Sequence, residues 1–178
     1  PGAHSIQTDP SNRFAFVPHI AGYGPNAIFQ FRFDEDTGRI TPNMPPRLEP
    51  SESLGPRHFS FHPSRDQLYF SNEQGCSVTG YRLDSSTGTL TAFQTVSTLP
   101  DDFQGTNTCS QIQISNSGRF LYAPNRGHNS IVVYAVDQES DRLTLVELEL
   151  PVGKMPRGLE WIRLDDCSSS ATKKLIRV

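Results

Sequence analysis

The 178-residue chain lacks an excess of positive charge and any long apolar run. Its 16 lysines and arginines stand against 19 aspartates and glutamates, and the net charge of -3 provides no electrostatic surface for nucleic acid or an anionic membrane. No apolar stretch approaches the roughly 20 residues that span a bilayer, and the opening PGAHSIQTDP has neither the basic nor the apolar region of a secretory signal. We therefore expect a soluble cytoplasmic protein that binds neither nucleic acid nor a membrane.

Cysteine is scarce as well, which argues against a cysteine-based zinc site and against a fold held together by disulfides. The sequence has three cysteines, Cys76, Cys109 and Cys167, an odd number with no C-x-x-C spacing. Neither a zinc site nor a disulfide scaffold is indicated by this pattern. We expect a protein of a reducing compartment that needs no metal and no cofactor.

What the sequence does contain is a repeat of about 50 residues. The matching segments are DPSNRFAFVPH at 9 to 19, HPSRDQLYFSN at 62 to 72 and SNSGRFLYAPN at 115 to 125. They superpose at two successive shifts of 53 residues, so that Tyr69 falls on Phe16 and Tyr122. The second half of the first unit matches the second unit at a shift of 50 instead. We place the three-residue insertion in the loop HIAGYGPN, residues 19 to 26.

Each unit has the pattern of four short strands separated by turns. In the second unit the strands are HFSFHP, QLYFSNE, SVTGYRLD and TLTAFQTVS, and helical apolar periodicity is missing throughout. A repeat of this length with four strands is typical of a β-propeller blade. The alternatives are a β-sandwich or an irregular solenoid, but sandwich strands do not repeat with side-chain identity. We predict an all-β propeller.

The number of units predicts only part of a ring. Three four-stranded blades and the start of a fourth at MPRGLE cannot close a propeller, which typically has four to eight blades. After Glu160 the sequence WIRLDDCSSSATKKLIRV keeps none of the repeat. We therefore divide the chain into a partial propeller, 1-160, and an atypical C-terminal segment, 161-178.

Equivalent positions of the blades should form a ring around the central channel, because the first strand of each blade faces that channel. The column just before this strand holds His4, Arg57, Ser110 and Arg157. The column after the second strand holds Ile20, Glu73 and Arg126, and it follows His19, Asn72 and Asn125. The apolar positions of the repeat are alike, whereas these columns differ in chemistry.

That contrast favours an asymmetric ligand site formed by His4, Arg57, Glu73 and Arg126. Taken singly, each residue has an ordinary explanation, since an arginine at a strand end is usually solvated and Glu73 could form a surface ion pair. Their alignment in two neighbouring columns is what favours a site. His58 occupies the column of Ser5 and Gln111, and we expect it to be structural.

Several motifs together resemble the lactonase family of seven-bladed β-propellers, which includes 6-phosphogluconolactonase and 3-carboxy-cis,cis-muconate lactonizing enzyme. They are GPRHFSFHP, the NE that follows FS, STLPDDFQGTNTCSQIQIS, GRFLYAPNRGHNSIVVY and KMPRG. The resemblance covers residues 1 to about 160 and implies an intact protein of roughly twice this length. It implies that His4 is the candidate catalytic histidine, Glu73 the acidic site residue, and Arg57 and Arg126 the anion-binding arginines.

The function that follows is metal-free hydrolysis of a sugar-acid lactone such as 6-phosphogluconolactone, a reaction of carbohydrate metabolism. One alternative is a cycloisomerase of the muconate type, with the same site and a polycarboxylate substrate. A second is a Ca²⁺-dependent lactonase that uses oxygen ligands from Asn72, Glu73 and Asn125. A third is a binding platform without chemistry. The expected partner is a small anionic lactone or polycarboxylate, and open blade edges would allow self-association.

Overall fold

A computed structural model describes residues 2-149, 155-162 and 175-177 of the chain, and every regular element in this part is a β-strand. The first blade contains β1 (Gln7–Thr8), β2 (Phe14–His19), β3 (Ala27–Asp34) and β4 (Arg39–Leu48). The second contains β5 (Pro56–Phe61), β6 (Gln67–Asn72), β7 (Ser77–Asp84) and β8 (Thr89–Ser97). The third contains β9 (Thr108–Cys109), β10 (Gln113–Ile114), β11 (Phe120–Arg126), β12 (Ser130–Val136) and β13 (Leu143–Glu149). Each blade is an antiparallel meander in chain order, with β9 and β10 sharing the innermost position. The predicted all-β fold of three blades is confirmed.

The three-residue insertion lies where the repeat predicts it. The β2–β3 hairpin closes at the pair His19 and Ala27, whereas the equivalent hairpins close at Asn72 with Ser77 and at Asn125 with Ser130. The first hairpin loop is thus three residues longer than the other two, and the strands on either side keep their register.

An aspartate at the end of β3 and of β7, and directly after β12, organises the next turn. Asp34, Asp84 and Asp137 each accept hydrogen bonds from backbone amides two and three residues further along the chain. Gly38 and Gly88 then adopt positive φ angles of 68° and 73°, which a residue with a Cβ adopts at a cost. The repeated Asp and Gly of the sequence are therefore turn residues, outside any ligand site.

The middle blade is buried on both faces. Along β6 successive side chains point to opposite faces, so that Leu68 and Phe70 pack towards the first blade while Tyr69 packs towards the third. All six residues of β6 are buried. Because one strand supplies both interblade cores, the three blades form a stack that fixes the positions of the strands lining the channel.

Glutamines set the register between neighbouring inner strands. Gln7 donates from Nε2 to the Phe59 carbonyl at 3.4 Å, and Gln113, the equivalent residue of the third blade, donates to the Leu159 carbonyl at 2.6 Å. Leu159 therefore takes the position of Phe59 in a fourth unit. Counting back two residues places Arg157 in the column of Arg57, in agreement with the repeat.

The C-terminal part adds one short strand pair. Strand β14 (Glu160–Ile162) pairs antiparallel with β15 (Leu175–Arg177). Residues 163-174, including Cys167, lie outside the described residues, and the domain boundary at residue 160 stays a prediction. Within the described ranges there is no helix long and apolar enough to cross a membrane.

Candidate active site

The innermost strand of every blade contains one extra residue beside the channel. In the first blade, Ala3 pairs with His19 and Gln7 with Phe16, so the inner strand advances four residues while β2 advances three. The same offset occurs between Pro56 and Ser60 of β5, and between Cys109 and Gln113 in the third blade. Such a bulge bends the strand and redirects a side chain.

The residues just after the start of these bulges are His4, Arg57 and Ser110. In the second blade the register shift lies between Pro56 and His58, so Arg57 itself is the bulged residue. The bulge turns this column of side chains out of the regular in-and-out alternation of a strand. The column predicted from the sequence therefore has a backbone cause.

Glu73 lies at the centre of the candidate site and is held through its backbone. Its amide donates to the Gly55 carbonyl at 2.7 Å, and its carbonyl accepts from the Cys109 amide at 3.1 Å. The residue thus links the start of β5 to the third blade. Its side chain is 13% exposed, so a carboxylate charge is placed in a largely buried position.

The Glu73 carboxylate brings the other three predicted site residues together. Oε2 lies 2.6 Å from Arg57 Nε and 3.8 Å from His4 Nε2, and Oε1 lies 3.1 Å from Arg126 Nη2. The side chains of Arg57 and Arg126 are only 13% and 10% exposed. These contacts link three blades, because His4, Glu73 and Arg126 each belong to a different one.

The ion-pair cluster keeps unused hydrogen-bonding capacity. Arg57 Nε and Glu73 Oε2 are buried and lie 2.6 Å apart, so they face each other as an ion pair although the direction of the N–H bond departs from that of a regular hydrogen bond. Arg126 Nε is a buried atom without a hydrogen-bond partner among the described residues, while Nη2 of Arg126 donates to the Cys109 carbonyl at 2.8 Å. Buried polar atoms without partners are uncommon in folded proteins. Arg126 Nε therefore remains as a donor for a ligand, whereas Arg57 Nε and Glu73 Oε2 face each other in their ion pair.

Among His4, Arg57, Glu73 and Arg126, only His4 has a side chain whose usual pKa, 6.5, lies near neutrality. Burial lowers the pKa of His4 below 6.5, and the positive charges of Arg57 and Arg126 lower it further, while Glu73 acts in the opposite direction. The imidazole is therefore neutral at pH 7 and can accept a proton. At 3.8 Å the Glu73 carboxylate is beyond direct hydrogen-bond distance, yet near enough to stabilise an imidazolium once it forms.

His58 also contacts the cluster, which the sequence did not indicate. Its Nδ1 lies 2.5 Å from Nη1 of Arg57. Neighbouring side chains in a regular strand point to opposite faces, so Arg57 and His58 would not meet. The bulge at Arg57 removes that alternation, and a bulge cannot be located from a single blade sequence.

Ser110 and Arg157, the other two residues in the column of Arg57, differ in their roles. Ser110 is fully buried and donates from Oγ to the Pro156 carbonyl at 2.8 Å, which ties the third blade to the fourth unit. Arg157 is exposed, and its positive charge contributes to lowering the pKa of Arg57, after burial and the nearer charges. Among the residues that the structure describes, the guanidinium groups of Arg57, Arg126 and Arg157 thus act near the Glu73 carboxylate, an arrangement that attracts anions.

The buried asparagines beside Glu73 hold the hairpins. Asn72 donates to Ser77 Oγ at 2.9 Å, and Asn125 donates to Ser130 Oγ at 3.1 Å. Asn125 Oδ1 already accepts from Thr98 Oγ1 and Asn107 Nδ2. The oxygen of Asn125 is therefore already committed to a polar network, which leaves it no role as a calcium ligand beside Glu73. In the part of the chain that the structure describes, no group of three or more His, Cys, Asp or Glu side chains could hold a metal ion.

Comparison with known proteins gives a consistent result. The model of the family described as "Lactonase, 7-bladed beta-propeller" matches residues 1-168. A periplasmic gluconolactonase of Pseudomonas aeruginosa matches with 28% identity and a TM-score of 0.82, and a protein of Lactobacillus plantarum matches with 27% identity and a TM-score of 0.81. A candidate 6-phosphogluconolactonase of Bacteroides fragilis, at 24% identity and a TM-score of 0.78, is similar in fold.

These matches cover most of this chain and less than half of the solved structures. The first two cover 89% of this chain and 44% of the matched chain, and the third covers 90% and 44%. The three blades therefore correspond to a part of a larger propeller, as the number of repeats predicts.

Proposed function

Because the chain belongs to the lactonase family of seven-bladed β-propellers, we propose that the propeller of which it is part hydrolyses a sugar-acid lactone such as 6-phosphogluconolactone. The observation that carries the proposal is the cluster in which one carboxylate, Glu73, is paired with the two buried arginines Arg57 and Arg126 beside a neutral His4. The surplus positive charge suits a phosphate or carboxylate on the substrate.

His4 is the general base in this proposal. Lactone hydrolysis requires that water attack the carbonyl carbon, that the bond from this carbon to the ring oxygen break, and that a proton move from the water to the leaving oxygen. Neutral His4 takes the proton from the water and afterwards delivers it to the ring oxygen, so no net proton is gained or lost by the side chain. Its lowered pKa keeps the accepting form populated at neutral pH.

Glu73 orients the two arginines and stabilises the charged form of His4, and it is a weaker candidate for the general base than His4. Guanidinium groups lie 2.6 Å from its Oε2 and 3.1 Å from its Oε1, so both carboxylate oxygens already face a cation. In this proposal Glu73 holds Arg57 and Arg126 in place and stabilises the imidazolium of His4 during the reaction. The anionic substrate then meets the outer edges of Arg57 and Arg126, as the sequence predicts.

The proposal is tested by incubating the purified complete propeller that contains this chain with 6-phosphogluconolactone and with δ-gluconolactone, and by following acid release above the spontaneous rate. We expect acceleration by the parent chain, a loss of turnover in His4→Ala and a raised KM in Arg57→Lys, whose single ammonium lacks the bidentate geometry. Conversion of 3-carboxy-cis,cis-muconate in place of both lactones would instead support the cycloisomerase. Binding without any turnover would support a binding platform.

The compartment is a separate proposal. The charge and cysteine content favour the cytosol, whereas the Pseudomonas relative is named as periplasmic. Fractionation of the source cells, followed by immunodetection with a cytosolic marker as reference, distinguishes the two locations.

A further inference from the structure

The His58 ring lies between the Arg57 guanidinium and the third blade. Its Nδ1 is 2.5 Å from Arg57 Nη1, and the Ser110 backbone is near enough to influence the pKa of the ring. A guanidinium group only donates hydrogen bonds, so Nδ1 must accept. A neutral imidazole carries one proton, which is then on Nε2. The contact with Arg57 therefore selects one neutral tautomer of the ring.

The charges around the ring keep it neutral. The groups that face it are Arg57 from its own strand, Glu73 from the β6–β7 turn and His4 from the first blade. Burial, followed by the charges of Arg57 and His4, lowers the pKa of His58 to about 4, while the bond with Ser110 and the charge of Glu73 oppose the change. At neutral pH the Nδ1 lone pair is therefore available to the arginine.

This contact determines the direction of the Arg57 guanidinium. Nε is held beside Glu73 Oε2 at 2.6 Å, and Nη1 is held by His58. Two of the three guanidinium nitrogens are thereby oriented, which leaves Nη2 for a ligand. Without His58 the ion pair with Glu73 alone would let the group rotate about its bond to the side chain.

We propose that His58 is a positioning residue, which uses its Nδ1 to hold the Arg57 guanidinium in the orientation that receives an anionic ligand. The inference rests on the anion-binding role proposed for Arg57. It assigns to the last residue of the GPRH motif a task that the repeat position of His58 does not indicate.

Three variants separate this role from a merely structural one. His58→Asn keeps an acceptor close to the position of Nδ1, whereas His58→Phe keeps a ring of similar volume and removes the acceptor. His58→Gln places its amide nearer the position of Nε2 and serves as the second non-acceptor if phenylalanine unfolds the chain. The matched control is His62→Asn, because His62 also accepts through Nδ1, but from the Ser64 backbone amide at 3.2 Å.

The first measurement needs no ligand. Ring ¹⁵N spectra of the parent chain should show His58 as the Nε2–H tautomer, unprotonated down to about pH 5. The side-chain Nε–H signal of Arg57 should be sharp in the parent and in H58N and should broaden or average in H58F. An Nδ1–H tautomer, or an Arg57 signal that is the same in H58F and the parent, would overturn the proposal.

The second measurement uses 6-phosphogluconate as the probe anion in calorimetric titrations at pH 7. Loss of a charge-assisted hydrogen bond should weaken binding by on the order of tenfold in H58F, and H58N should recover most of this loss. The control H62N should bind as the parent does, and equal affinity of H58F and H58N would contradict the proposal. If the parent itself binds no probe, the proposed anion site fails, while the ligand-free spectra still decide the role of His58.

Discussion

Replacing Glu73 with glutamine should destabilise the protein far more than the loss of an ordinary surface charge. The substitution keeps the volume of the side chain but leaves the guanidinium groups of Arg57 and Arg126, 13% and 10% exposed, without their counter-ion. Removing one partner of a buried ion pair costs about 3 to 5 kcal/mol. Since the site retains some contact with water, we expect the lower end, about 3 kcal/mol, a large share of a typical stability of ~5 to 15 kcal/mol.

The measurement is urea denaturation of E73Q followed by circular dichroism. With a slope of about 2 kcal/mol per molar urea, the midpoint should fall by roughly 1.5 M. Glu49→Gln provides a matched control, because Glu49 pairs with Arg47 at the same 2.6 Å on the surface, where the side chains are 54% and 49% exposed. There the change should stay below about 0.5 kcal/mol.

A double variant tests the cause of the loss. Removing Arg57 together with the carboxylate, in R57M/E73Q, takes away one of the two uncompensated charges and should recover about 1 kcal/mol relative to E73Q. If E73Q were no less stable than E49Q, the arginines would be hydrated in solution and the reasoning about a buried cluster would be refuted.

Two further predictions concern the histidine and the polar network. Because burial and Arg57 lower the pKa of His4, the acidic limb of the pH profile of kcat/KM should lie below pH 6.5. In Arg57→Gln this limb should move to higher pH, and a limb that moves to lower pH would contradict the assigned cause. Asn125→Ala leaves the Thr98 and Asn107 donors and the Ser130 hydroxyl without their buried partner, so the free energy of unfolding measured by urea denaturation should fall by about 2 kcal/mol. The control Asn116→Ala, on an exposed turn, should change it by under about 0.5 kcal/mol.

The repeat made the fold predictable because its strand pattern is written three times. Leu68 and Tyr69 have counterparts in both other units, and alternation assigns them to opposite faces before any coordinates are known. The insertion in the first hairpin is visible in the sequence for the same reason, since the first and second units align at a shift of 53 residues before the loop and of 50 residues after it.

The candidate site was predictable in its members and less so in its geometry. Column alignment placed His4, Arg57, Glu73 and Arg126 around one mouth, and the structure brings these side chains together; their roles stay predictions. The contact of His58 with Arg57 depends on a backbone bulge, which leaves no mark on apolar alternation. The hydrogen bond of Asn125 with Thr98 joins residues 27 apart and depends on the segment between β8 and β9, which is longer than the equivalent segment between β4 and β5.

The bulge repeated in the inner strands places the side chains of the mouth outside the regular hydrogen-bonded ladder of the blades. A residue at a bulge lies outside the regular ladder, so its side chain is not selected for strand packing. This freedom explains how histidine, arginine and serine can occupy one column while the neighbouring apolar positions are alike. An engineer who wishes to change the ligand of such a propeller should begin with this column in the first two blades, because Ser110 of the third blade is buried and bonded to the Pro156 carbonyl.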